Sequence, residues 1–262
     1  KVYADDGNYV VDVTVSDHDG GEATAQFTVT VRNVAPDLTV PADTLTVAKC
    51  TYLDLAGMLT FDDPGFGDSE TFTFSVEWGD GTAPASGDVT DLTPGAPHVK
   101  THGRLNLRHA WTASRPAGEF YTVTVTVTDD DGDTDTGVFQ VEVRNVPPVL
   151  ALLPDLLAAT AGMPFSVVDF GRFTDSACEP ALTATIDWGD GSVSGPFAAT
   201  VDWRGGVGEG LRGTFDGTHT YAAEGLYTVA VTLSDGEATV TQHALAAVSG
   251  TAITAPVMLG YS

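Results

Sequence analysis

Tyr121-Thr122-Val123-Thr124-Val125-Thr126-Val127-Thr128-Asp129 decides how this chain is read. Tyr121 and the three valines share one face and the threonines share the other. That period of two, built from β-branched residues, predicts a half-buried antiparallel strand. The same strand is written twice more, as Tyr9 to Asp17 (YVVDVTVSD) and Tyr227 to Asp235 (YTVAVTLSD). One strand in three copies predicts one β-domain, repeated.

Working outward, each copy has an aromatic and a glycine just upstream: Tyr3 and Gly7, Trp111 and Gly118, Tyr221 and Gly225. The second and third copies add His109 and His219. Further upstream, two more alternating runs (Phe72, Phe74, Val76 and Leu182, Ala184, Ile186) break into Trp78-Gly79-Asp80-Gly81 and Trp188-Gly189-Asp190-Gly191. The two tryptophans stand 110 residues apart (188 − 78). Tryptophan can fill a core at a strand end, glycine permits positive φ, and aspartate can bond its own backbone, so the motif is expected to be a structural turn. The two histidines are expected to be buried and hydrogen-bonded across the domain.

Downstream, Asp17 and Asp129 open acidic, glycine-containing hairpins. The returning strands run into Arg32-Asn33-Val34-Ala35-Pro36 and Arg144-Asn145-Val146-Pro147-Pro148, where proline ends the sheet and stiffens the exit. Val201 to Trp203 and the glycine-rich stretch 205–210 read as an additional hairpin in the third copy, with Trp203 expected in an enlarged core. Cys50 and Cys178 do not occupy matching repeat positions, so two free or buried thiols are expected.

The totals agree with a folded β-protein. The 262 residues are 42% hydrophobic, with 29 glycines and 14 prolines for turns. Acidic residues outnumber basic ones 36 to 11, a net charge of −25. Nucleic acid and anionic membrane surfaces need clustered Lys and Arg and are excluded as partners; divalent cations are favoured. No apolar run approaches the ~20 residues of a membrane helix.

In their order these marks resemble the PKD (polycystic kidney disease) domain. They are Trp78-Gly79-Asp80-Gly81, His109-x-Trp111, Gly118 to Tyr121 and Asp129, then Trp188 to Gly191, His219-x-Tyr221, Gly225-x-Tyr227 and Asp235. The resemblance implies an all-β fold of tandem immunoglobulin-like sandwiches. It divides the chain into a C-terminal half-domain at 1–34, full domains at 35–146 and 147–248, and a linker with the first strand of a following repeat at 249–262. The expectation is a window from a longer array, in which something must complete the half-domain, such as a strand from residues 252–261 of a neighbour.

Candidate ligands are acidic. Asp129, Asp131, Asp133 and Asp135 alternate around Gly132, and such carboxylates can converge on Ca²⁺, which takes six to eight oxygens. Asp62, Asp63 and Asp68 make a second cluster. His98 and His102 have helical metal-ligand spacing but stand in a Pro/Gly-flanked loop, where the spacing loses its meaning. Neither a Gly-x-Ser-x-Gly nor a His-Glu-x-x-His sequence occurs, and no catalytic residue is assigned. The expected function is a non-catalytic, secreted or cell-surface region, a stiff spacer or adhesion stalk of a larger surface or matrix protein. Its partners would be a surface protein, a glycan or copies of itself. Two alternatives stand beside it: a substrate-binding accessory region of a secreted hydrolase, and a filament subunit completed by strand exchange.

Overall fold

The computed structural model describes residues 1–67, 70–176 and 182–250, and these contain strands and turns with no helix. Asp68, Cys178 and the stretch 251–262, which holds the expected following strand, lie outside the described residues. The chain divides into two compact units. Of the described residues, 1–47, 53–109 and 115–143 form the first; 48–52, 110–114 and those between 144 and 250 form the second.

The first unit opens with a hairpin, β1 (Gly7–Ser16) and β2 (Glu22–Val31), in unbroken register from Gly7↔Val31 to Ser16↔Glu22. Its alternation is that of a core strand, yet Val13, Val15 and Phe27 are exposed. In the second copy the matching residues, Val125, Val127 and Phe139, are buried.

The strands that follow are β3 (Asp37–Thr39), β4 (Leu45–Ala48), β5 (Leu53–Asp54), β6 (Thr60–Asp63), β7 (Phe72–Glu77) and β8 (Ala85–Asp88). After them come β9 (Asp91–Thr93), β10 (Thr101–Arg104), β11 (Arg108–His109), β12 (Tyr121–Asp129) and β13 (Thr134–Arg144). They form sheets ordered β3-β6-β10-β9 and β4-β13-β12-β7-β8, with a short β5–β11 ladder. Phe61 on β6 meets Phe72 on β7 with ring centroids 4.7 Å apart, so the two sheets share a core.

The second unit repeats this plan. Its strands are β14 (Val149–Leu152), β15 (Leu156–Thr160), β16 (Phe165–Asp175), β17 (Thr183–Asp187), β18 (Val193–Ala198), β19 (Thr200–Arg204), β20 (Leu211–His219), β21 (Gly225–Ser234) and β22 (Thr239–Ser249). Sheets β14-β16-β20-β19 and β15-β22-β21-β17-β18 close over one core. Phe170, Phe173 and Phe215 come to it from one sheet, and Ile186, Val231, Leu233 and Ala246 from the other.

Three expectations change. The hairpin of β19 and β20 is not peculiar to the third copy, because β9 and β10 occupy the same place in the first unit's sheet order. Trp203 does not cap the core. It is 40% exposed, with the Arg212 guanidinium 5.1 Å from its ring centroid, because it lies on an edge strand whose register shifts between Val201 and Trp203. Cys50 is not a free thiol: it is buried and disulfide-bonded, and no described cysteine is free. Repeat phase misled here, since a disulfide needs two Cα atoms brought close in space and not two equivalent positions in a repeat.

Candidate functional site

The Trp-Gly-Asp-Gly turn is a lock, built identically in both copies. The His109 ring stacks on Trp78 (4.3 Å between centroids, 3° between planes), and its Nε2 shares a 2.8 Å hydrogen bond with Asp80 Oδ2. His219 stacks on Trp188 (4.8 Å, 7°) and bonds Asp190 Oδ2 at 2.8 Å. The other aspartate oxygen accepts from the turn itself: Thr82 N and Oγ1 in one copy, Ser192 N and Oγ in the other. Burial opposes ionisation of Asp190, but the Ser192 and His219 hydrogen bonds outweigh it and hold its pKa at about 2. Tyr221 closes the third copy's lock by donating to Trp188 O at 3.1 Å; burial, with Asp190 and Tyr227 nearby, pushes its hydroxyl up to about 12. These bonds engage both carboxylate oxygens of Asp80 and Asp190 and the Nε2 of each histidine within the turn.

The acidic hairpin between β12 and β13 does not gather its carboxylates on one point. Asp129 Oδ1 accepts from Asp133 N at 2.8 Å, and its Oδ2 accepts from Asn33 Nδ2 at 2.7 Å. The same Asn33 amide reaches Asp133 Oδ2 at 3.2 Å. Asp135 accepts from Leu38 N and Thr136 N, each at 2.8 Å. Asp62 faces His102 across the β6–β10 ladder and shares a 2.8 Å hydrogen bond with its Nδ1, while His98 lies outside any strand.

Asp131 and Asp63 go elsewhere. One oxygen each from Asp131, Asp5 and Asp6 lies within 4.8 Å of the others. Asp63, 2% exposed, accepts from Gly65 N through Oδ1, while its Oδ2 is buried with no hydrogen-bond partner. Burial raises the Asp63 pKa, and so do the Asp129 and Asp130 charges, against the pull of Gly65 N–H and Lys100. Glu70 rises to about 7 through burial and the charges of Asp130, Asp63, Asp5 and Asp131.

Asp5, Asp6 and Glu70 were not singled out from the sequence, although Asp5-Asp6 stands directly before a glycine that opens a strand. Asn33 and Asn145 were also missed. Asn145 Nδ2 donates to Asp235 Oδ2 at 2.7 Å, as Asn33 does to Asp129. Their signal was visible: the asparagine recurs in phase at both junctions, beside the prolines that drew attention.

No family model matches this sequence, and no curated protein sequence is significantly similar to it. Solved structures are similar at low identity. The titin domains z1z2 in complex with telethonin share 13% identity, over 84% of this chain and 100% of that one, with a TM-score of 0.39. The PKD domain of an M14-like peptidase from Thermoplasmatales archaeon SCGC AB-540-F20 shares 18%, over 39% of this chain and 92% of that one, at 0.25. Sidekick-1 immunoglobulin domains 1–5 share 16%, over 96% of this chain and 47% of that one, at 0.34. The chain is a tandem of immunoglobulin-like β-sandwiches.

Proposed function

We propose that this chain is a non-catalytic, PKD-like repeat region of a larger extracellular protein, serving as a stiff spacer or interaction stalk. One observation carries the reading. Each proline-bearing linker is hydrogen-bonded, through Asn33 or Asn145, to the aspartate that ends the valine-rich strand of the sandwich it leads into. Hydrogen bonds to an ionised carboxylate are the strong kind, and two in the same phase make a repeated fastening. A linker held this way transmits orientation, where a Gly/Ser tether would swivel.

Backbone ¹⁵N relaxation tests this. Residues 33–35 and 145–146 are expected to show order parameters near those of the flanking strands, about 0.85. Order parameters below about 0.6 in both linkers would sink the spacer reading.

An accessory substrate-binding role has one observation in its favour, the exposure of Trp203. Its ring is contacted by Arg212; of the other large exposed aromatics in the described residues, Tyr52 lies beside Gly208 in the loop that follows Trp203, and Phe27 belongs to the other unit. Glycan-array binding that disappears in Trp203→Ala would move the assignment to that role.

A further inference from the structure

We propose that the apolar face of the β1–β2 hairpin docks against the same face of a second copy of this chain, forming a weak twofold dimer. The inference goes beyond the spacer reading and does not depend on it.

The hairpin has two unlike faces. Successive side chains of a strand point to opposite sides, so β1 turns Tyr9, Val11, Val13 and Val15 one way. Across the ladder from them, on the same side, stand Val29, Phe27, Ala25 and Ala23. The one polar side-chain atom among these residues is the Tyr9 hydroxyl, which donates to Asp5 O at 2.9 Å. The other face is polar apart from Val10, and it satisfies itself. Gln26 Nε2 donates to Asp12 Oδ1 (2.6 Å) and Thr30 Oγ1 to Asn8 Oδ1 (2.7 Å). The polar side is therefore the solvent side. Val15 is nonetheless 66% exposed and Phe27 54%, which leaves a contiguous apolar patch open to water.

The two other copies of the hairpin show the same face covered. Val125, Val127 and Phe139 are buried in the first unit, and Val229, Val231 and Leu233 in the second. A two-stranded sheet is marginal in water by itself, and a second layer about 10 Å away is what stabilises it. Each covered copy also keeps one polar side chain on this face, Asp135 in β13 and Gln242 in β22. They stand where the first hairpin has Ala23 and Ala25. Asp135 accepts a hydrogen bond from Leu38 N, in the sheet that covers it. The β1–β2 hairpin has alanine at both positions, and so no group there to bind a polar cover.

A second copy is the cover that fits. The base of the face is bulky (Tyr9, Val11, Phe27, Val29), while its tip has the two alanines on β2. A twofold axis lying between the layers, across the strands, sets the base of one copy over the tip of the other. Phe27 then meets the partner's Ala25 and Val29 the partner's Ala23, large residue against small. Such a contact is isologous and closed, so assembly stops at two. The face is about 33 Å long and, with side chains, about 15 Å broad, or roughly 500 Å² a copy and about 1,000 Å² in the pair. That is the lower bound for a specific interface, where complexes are weak. No charged side chain lies on the face, so the chain's net charge of −25 opposes the dimer only from a distance.

The test is sedimentation equilibrium of the chain from about 1 to about 500 μM, where a monomer–dimer equilibrium with Kd about 10⁻⁵–10⁻⁴ M is expected. Val15→Ser and Phe27→Ser should each weaken it at least about tenfold, because every substitution enters a twofold interface twice. Val10→Ser, on the polar face, should leave it within about twofold. All three residues are exposed, and circular dichroism checks that each variant folds. Salt gives a second readout. Raising NaCl from about 0.05 to about 0.5 M should tighten the dimer, since screening relieves the repulsion between two acidic chains. The proposal is overturned by a chain that stays monomeric throughout this range, or by a dimer that salt dissociates. It is equally overturned by a dimer that survives both Val15→Ser and Phe27→Ser, as edge-to-edge pairing of β1 would, or that Val10→Ser weakens as much as they do.

Discussion

At the scale of single residues, the Trp-Gly-Asp-Gly turn shows two glycines with different duties. A Cβ on Gly79 or Gly189 would collide with the carbonyl oxygen of Thr122 or Thr228, on the neighbouring strand, and both glycines have positive φ (76° and 80°). Gly81 and Gly191 also have positive φ but face open space. Alanine at Gly79 or Gly189 should therefore cost about 3 kcal/mol or more, and at Gly81 or Gly191 about 1–2 kcal/mol, by urea denaturation. Asp190 makes a pH prediction. Its folded pKa lies below the unfolded value near 3.8, so its stabilisation is present above that pH and disappears as pH falls toward about 2. With solvent screening allowed for, Asp190→Asn should cost about 1–2 kcal/mol at pH 7 and almost nothing at pH 2. Equal losses at both pH values would show that the carboxylate charge is not what holds the turn. Turn and histidine were both legible in sequence because they repeat in phase. Their contact was not, since His109 follows Asp80 by 29 residues and only the folded sandwich brings the imidazole over the indole.

At the scale of elements, the linkers and the acidic hairpin prove to be one device. Alternation alone predicted β12 and its counterparts, because a strand with one buried face writes that face into every second residue. Alternation says nothing about which donor answers the carboxylate at the strand's end. Asn33 and Asn145 supply it, so the aspartates read as metal ligands are in part a linker anchor. Asn145→Ala should destabilise the second unit by about 1–3 kcal/mol and speed hydrogen exchange at residues 145–146, because it leaves the buried Asp235 short of a donor. Exchange unchanged from wild type would mean that the prolines alone hold the linker. Asp131 is the hairpin member with a different fate, and nothing in the spacing of 129, 131, 133 and 135 set it apart. Its neighbours, Asp5 and Asp6, stand more than a hundred positions away in the chain.

At the scale of the whole chain, the relevant feature is how a strand near the start of the second unit, β15, meets its last strand, β22. β15 pairs with β22 in parallel from Leu156↔Leu245 to Thr160↔Ser249, at the edge of the five-stranded sheet. Force applied through the two ends of this unit pulls the parallel partners in opposite directions, so their hydrogen bonds are loaded together, in shear. Successive amides of a strand point to opposite sides, so proline at either Ala158 or Ala159 removes a donor from this ladder. One of the two substitutions should lower the force at which the unit opens in single-molecule pulling; identical forces for wild type and both variants would remove β15 from the mechanical pathway. The amino-acid sequence by itself determined the repeat, the strands, the turn and the surplus of negative charge, because burial on one face and positive φ at a turn each demand particular residue types at local spacings. Tertiary structure alone decided that Cys50 is oxidised, that Trp203 faces outward, and which carboxylates are satisfied by asparagine, by lysine or by neither. Those outcomes depend on distances between residues far apart in the chain, and a local pattern carries no record of them.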